Sequence, residues 1–154
     1  AEHLIIDIMP DQKEKIASGN LGGSMRLGLY PAKIRKGSVA YEAYGATTVK
    51  ERHRHRYEVN PVYIERLEQA GLIFSGTSPD GTLMEIAELP RDVHPFFLGT
   101  QFHSEFLARP LSPHPLFTAF IKATKKQSSL RAATSTPTDE PAEILSTYTL
   151  TYKK

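Results

Sequence analysis

Proline and glycine cut the apolar residues of this chain into short runs, and that punctuation limits what it can fold into. Leu4-Ile5-Ile6-Asp7-Ile8-Met9 stops at Pro10, and Ser24 to Tyr30 opens after Gly22-Gly23 and is expected to stop at Pro31. Leu72 to Gly76 and Leu83 to Leu89 flank the turn Ser78-Pro79-Asp80-Gly81, the pattern of a hairpin. Phe96 to Phe102 is the most apolar-looking of the runs, expected as the most buried strand. None approaches the roughly 20 apolar residues of a membrane-spanning helix.

Between the strands lie shorter helical signals. Ala40 to Tyr44 is closed by Gly45. Asn60-Pro61 starts a helix, since Asn caps and Pro suits the first turn; Leu67 and Ala70 give it an apolar side and Gly71 ends it. Pro113 to Lys126 spaces Leu116, Phe117, Phe120 and Ile121 as an amphipathic helix, with Lys122, Lys125 and Lys126 toward its end, where the dipole favours cations. Strands mixed with helices read as an α/β domain over residues 1–126, with a mixed sheet, hairpins in its middle and helices on its faces. From Gln127 the composition turns to Ser, Thr, Pro and Ala, so residues 127–154 are expected to form a disordered tail, with Ile144 to Tyr152 a late strand lacking a partner.

A net charge of +2 argues against a dedicated nucleic-acid binder. The start lacks a basic segment followed by a long apolar core, so no signal peptide is expected, and a cytoplasmic protein without a membrane partner is the default. There is no cysteine, which excludes disulfides, thiolate metal sites and a thiol nucleophile from these 154 residues.

The chemistry concentrates in two places. In Gln101-Phe102-His103-Ser104-Glu105-Phe106, the strand ending at Phe102 delivers His103 at its carboxyl end, where open α/β sheets place ligands. A carboxylate two residues on, at Glu105, can fix the imidazole in one tautomer and stabilise its protonated form. A base and its orienting acid are present and the nucleophile is not. The second place is Arg52-His53-Arg54-His55-Arg56-Tyr57. In a strand, Arg52, Arg54 and Arg56 face one way and His53, His55 and Tyr57 the other. Three arginines on one face suit a carboxylate or phosphate, or simply a solvated edge strand. His53 and His55 have ligand spacing but no evident third ligand, so no metal site is expected. Gly22-Gly23 is either a turn or an amide cradle for an anion. The tyrosines and phenylalanines read as packing.

Together, Leu21-Gly22-Gly23-Ser24-Met25-Arg26-Leu27-Gly28, the run Glu51 to Asn60, Gln101 to Pro110, and the helix after His114-Pro115-Leu116-Phe117 resemble the CTP synthase family. The likeness covers roughly residues 1–125 and is to the second half of its class I glutamine amidotransferase (flavodoxin-like) domain. The resemblance implies a ligase making CTP from UTP, ATP and glutamine. A Cys-His-Glu triad releases ammonia from glutamine, and a separate synthetase domain uses Mg-ATP to activate UTP. It makes His103 the triad base and Glu105 its orienter, and gives the glutamine carboxylate to Arg56. It places Met25, Arg26, Leu27 and Gly28, with Arg52 and Arg54, near the site of the effector GTP. It implies a homotetrameric full enzyme, and no cofactor in this chain.

Three departures follow from the same resemblance. The triad cysteine and the oxyanion glycines would lie upstream of Ala1, the synthetase domain is absent, and Ser104 stands where the family usually has proline. An isolated chain is therefore expected to be inactive as a glutaminase, and the apolar faces of 4–9 and 96–102 to need the absent half. The alternative is a free-standing, non-catalytic binding or regulatory protein derived from such a domain.

Overall fold

Alternation of side chains along two long strands sets the frame. The computed structural model describes residues 3–8, 17 and 25–134. Its strands, in chain order, are β1 (Ile6–Ile8), β2 (Arg26–Ile34), β3 (Thr48–His55), β4 (Tyr57–Val59), β5 (Ile73–Thr77), β6 (Met84–Glu88) and β7 (Leu98–Thr100). The helices are α1 (Val39–Tyr44), α2 (Ile64–Gln69) and α3 (Pro115–Thr134). β1 pairs with β4, and the other strands form one sheet in the order β3-β2-β5-β6-β7. Where a mixed sheet was expected, every ladder described is antiparallel. The hairpin of β5 and β6 lies where its turn residues placed it.

The sheet curls until its ends meet. Just past β7, Phe102 bridges to His53 of β3, and the His103 amide donates to the Arg52 carbonyl at 2.9 Å. Inside the curl, Ala32, Ile34, Ile86 and Phe102 pack with Ala40 of α1 and Leu116 of α3. Each large side chain buried there contributes about 1.5–3 kcal/mol. Gly76 belongs to this packing, because a Cβ on it would lie 2.6 Å from Ile86 Cγ1. One face of the β2–β3 ladder passes from apolar to charged along its length. Its facing pairs are Ala32 with Val49, Tyr30 with Glu51, Gly28 with His53, and Arg26 with His55. The charged end lies beside His103.

Helix ends follow the sequence signals. Ser38 accepts the Tyr41 amide, and the buried Glu88 carboxylate accepts the Val39 and Ala40 amides at 2.7 and 3.0 Å. Gly45 closes α1 at φ 66°, donating to the Tyr41 carbonyl. Asn60 accepts the Val62 amide and opens a 3-10 turn, Pro61–Tyr63, before α2.

Several expectations change. Pro31 does not stop β2, which runs through it to Ile34. Ile34 donates toward β3 at Thr47 and Arg35 toward β5 at Ser75, so the amide side of Pro31 faces β5. β5 begins pairing only at Lys33, so the missing N–H breaks no ladder bond. The run 96–102 is not the most buried strand: only Leu98–Thr100 is strand, at the sheet edge, and Phe97 is exposed. The helix expected to end at Lys126 continues to Thr134, so residues 127–134 are not a disordered tail. Of its apolar positions Leu116 is buried, while Phe117, Phe120 and Ile121 are exposed. Arg56 falls in the bend after β3, off the strand face shared by Arg52 and Arg54. Gly22-Gly23, residues 135–143 and Ile144 to Tyr152 lie outside the described residues.

Candidate functional site

His103 stands at the rim where the curled sheet closes. Its own backbone is held from both sides: the Gln101 amide donates to Glu85 of β6 at 3.0 Å, and the His103 amide to Arg52 of β3. The chain then enters a 3-10 turn, Ser104–Phe106, rather than continuing extended. The turn still brings the pair together, with His103 Nδ1 2.7 Å from Glu105 Oε1. Ser104, between the two, is buried. Phe106 stacks on the imidazole at 4.9 Å between ring centres. The hydrogen bond from His103 holds the Glu105 carboxyl below the usual carboxylate range, so Glu105 is an acceptor at neutral pH. Nδ1 of His103 therefore carries the proton it donates. In the neutral form of the ring Nε2 holds the lone pair, and among the described residues it has no hydrogen-bond partner. An exposed imidazole with one nitrogen clamped and the other bare is equipped to accept a proton.

The arginines separate. Arg52 and Arg54 are exposed on the outer face of β3, beside the exposed Leu29 and Leu27 of β2. Arg56, in the bend, is half-buried and has no ion-pair or hydrogen-bond partner among the described residues. Arg26 is not presented outward. It is buried, with Nη1 2.6 Å from Glu85 Oε1 and its guanidinium 4.5 Å over the Tyr30 ring. Met25 precedes β2, and Leu27 and Gly28 lie within it.

Sequence reading missed the group behind His103. Glu85 is fully buried, and its Oε2 lies 3.6 Å from His53 Nδ1, which lies 3.0 Å from His55 Nε2. Glu85, which local spacing could not find because it comes from β6, brings a third polar side chain, and ligand-type atoms of the three residues lie within 4.8 Å of one another. The positive charge is already there as Arg26, against Glu85 and 3.4 Å from His53 Nδ1. Burial, with Arg26 beside it, pushes the His53 imidazole down to about 3. Burial also lowers His55 and raises Glu85, the latter opposed by Arg26. The one sequence signal was alternation, which put His53 and His55 on the inner face.

A second histidine–glutamate pair was not anticipated. His114 Nε2 lies 2.8 Å from Glu51 Oε1, both side chains buried, and the Tyr44 hydroxyl donates to the same oxygen at 2.7 Å. Desolvation, then the hydrogen bond and charge of Glu51, push the Tyr44 phenol up. The Leu116 amide donates to His114 Nδ1 at 3.3 Å, so both nitrogens of this ring are engaged.

Residues 5–123 match the family model described as glutamine amidotransferase class-I. A CTP synthase of Saccharopolyspora erythraea is 58% identical over 139 residues, which is 90% of this chain and 24% of that protein. A CTP synthase of Rubrobacter xylanophilus is 60% identical over 79% of this chain and 21% of that protein. Among solved structures, the glutaminase domain of Trypanosoma brucei CTPS with bound acivicin superposes with a TM-score of 0.70 and 35% identity, over 80% of this chain and 47% of that one. The chain thus spans about a quarter of the length of the curated relatives it matches.

Proposed function

The chain belongs to the glutamine amidotransferase class-I family, and we propose that it works as the base-bearing half of a CTP synthase glutaminase. The observation that carries this reading is the His103–Glu105 pair, clamped at Nδ1 and bare at Nε2 on an exposed rim. The similarity to CTP synthases over most of the chain supports the identity of the whole enzyme.

In this reading a cysteine on a preceding segment of the polypeptide attacks the side-chain carboxamide of glutamine. His103 Nε2 takes the thiol proton as the C–S bond forms. The tetrahedral intermediate collapses with cleavage of its C–N bond, and the same proton passes to the leaving ammonia. His103 then takes a proton from the water that attacks the thioester and returns it to the cysteine sulfur as the C–S bond breaks and glutamate leaves. Glu105 holds the ring in the donating tautomer and stabilises the imidazolium between these steps. Arg56, without an ion-pair partner among the described residues, grips the glutamine α-carboxylate with its planar fork. Arg52, Arg54, Leu27 and Gly28 with Met25 offer cations and an aliphatic surface to the effector GTP. Arg26 would have to leave Glu85 to join them. The ammonia passes to a synthetase domain that uses Mg-ATP and UTP, in a homotetrameric cytoplasmic enzyme.

Two measurements test this. An antibody against residues 110–154 should reveal a band several times larger than 17.2 kDa on a denaturing gel of source cells. The intact polypeptide should release ammonia from glutamine and form CTP, whereas these 154 residues alone, which contain no cysteine, should release none. Ammonia release by the 154-residue chain alone would refute the division of labour. A native band at 17.2 kDa would make the chain a free-standing binding protein.

A further inference from the structure

A buried charged cluster lies directly behind His103, and the hydrolysis just described does not use it. We propose that Glu85 and His53 are positioning residues that fix the place of His103 and so keep its Nδ1 on Glu105; this rests on the reading of His103 as the general base.

The backbone connections come first. Three consecutive residues, Gln101 to His103, are gripped by two strands: Gln101 by the Glu85 carbonyl, Phe102 by the bridge to His53, and His103 by the Arg52 carbonyl. The two gripping positions whose side chains turn inward are Glu85 and His53, and they meet there. Arg26 reaches from β2 to join them, 2.6 Å from Glu85 Oε1 and 3.4 Å from His53 Nδ1. The His53 ring stands edge-on against Phe102 at 5.8 Å and Tyr30 at 5.6 Å. Any movement of β6 relative to β3 has to break this cluster, and the same movement carries His103 with it.

His53 Nδ1 is the meeting point of the cluster: Arg26 Nη1 lies 3.4 Å from it, Glu85 Oε2 3.6 Å and His55 Nε2 3.0 Å. His55 Nδ1 in turn lies 2.9 Å from the Tyr57 carbonyl, which can only accept. These contacts hold the His53 ring in one orientation. The cluster is not an economical way to stabilise a fold. Apolar side chains of similar volume in place of a buried ion pair are often neutral or stabilising. What a charged cluster adds is a single geometry, and the segment it fixes is the mount of the base.

The experiment uses the intact polypeptide and the double variant Arg26→Met with Glu85→Leu, which exchanges the ion pair for packing. Glutamine hydrolysis gives kcat and KM, and imidazole 15N shifts report the His103 tautomer. A misplaced base should lower kcat by about 10²-fold. KM for glutamine should stay within about twofold because Arg56 is untouched, and His103 should become a mixture of tautomers. If the double variant fails to fold, His53→Phe, which keeps a ring against Phe102 and Tyr30 but removes the nitrogen that meets Arg26, Glu85 and His55, should give the same split. A folded variant with wild-type kcat and a single His103 tautomer would overturn the proposal, as would kcat and KM changing together. A wild-type enzyme that releases no ammonia would instead refute the role of His103 as base, while the tautomer comparison still decides whether Glu85 and His53 position it.

Discussion

His114 lies 2.8 Å from Glu51 and His103 lies 2.7 Å from Glu105, yet the first pair is almost wholly buried and the second is 41% and 59% exposed. The chemistry and the separation are the same. What differs is the second nitrogen. In His114 the Leu116 amide occupies it, and Glu51 also receives the Tyr44 hydroxyl, so the ring joins α1, β3 and the start of α3. In His103 it is bare. A histidine–carboxylate contact is therefore a strut when both nitrogens are satisfied and is equipped to take a proton when one is left over.

That difference is broken most directly by removing each acid in turn. Glu105→Gln keeps the shape of the site but no longer fixes the tautomer. In the intact polypeptide it should lower kcat for glutamine hydrolysis by about 10²–10⁴-fold. Glu51→Gln, wherever the protein still folds, should leave kcat near wild type. Equal losses in ammonia-release assays would mean that the buried pair also takes part in the chemistry.

Stability should show the reverse. Glu51→Ala leaves the Tyr44 hydroxyl and His114 Nε2 with only their weak 3.5 Å contact to each other in place of the carboxylate. Removing one partner of such a buried pair costs about 3 kcal/mol. Urea unfolding of the intact polypeptide checks this, and a midpoint equal to wild type would show that the strut carries nothing.

The pairs also differ in how far sequence could see them. His103 and Glu105 are two residues apart, so a local reading finds them although the turn between them was not foreseen. His114 and Glu51 are 63 residues apart, and Glu85 comes to His53 from another strand, so only the curl of the sheet brings them together. Turns and caps at Gly45, Asn60 and Asp80-Gly81 were legible because they depend on local backbone chemistry. Pro31 was misread because its tolerance depends on where a distant strand, β5, begins to pair. The run 96–102 was misread because composition reports apolarity and not whether a partner lies on both sides.

Acid should sharpen the contrast between the inside and the rim. The folded-state pKa of His53 is depressed to about 3, whereas in the unfolded chain it is near the ordinary value of about 6.5. Between those values the unfolded chain binds a proton that the folded chain does not. The contribution of His53 is thus complete above pH 6.5 and is lost as pH falls toward 3. By pH 5 the loss amounts to about 2 kcal/mol. His53→Phe should flatten the stability curve over that range by this amount, with the lowered His55 accounting for part of the slope that remains. An unchanged slope would mean that His53 protonates freely in the fold.

The smallest effect expected is on the rim, and it is informative for being small. Glu105 is exposed, and its carboxyl titrates below the usual range because His103 donates to it. A depressed carboxylate adds stability above its unfolded pKa and loses it as pH falls through the folded one. At an exposed site, water and salt screen that gain, and ordering the two side chains opposes it. Glu105→Ala should therefore leave the urea midpoint at pH 7 unchanged within error. Any residual difference should vanish near 1 M salt, where screening acts over about 3 Å. A salt-resistant loss of stability would make His103–Glu105 a second strut. The large effect on kcat would then reflect a damaged mount rather than a missing orienter, and the bare Nε2 would no longer suffice to separate the two pairs.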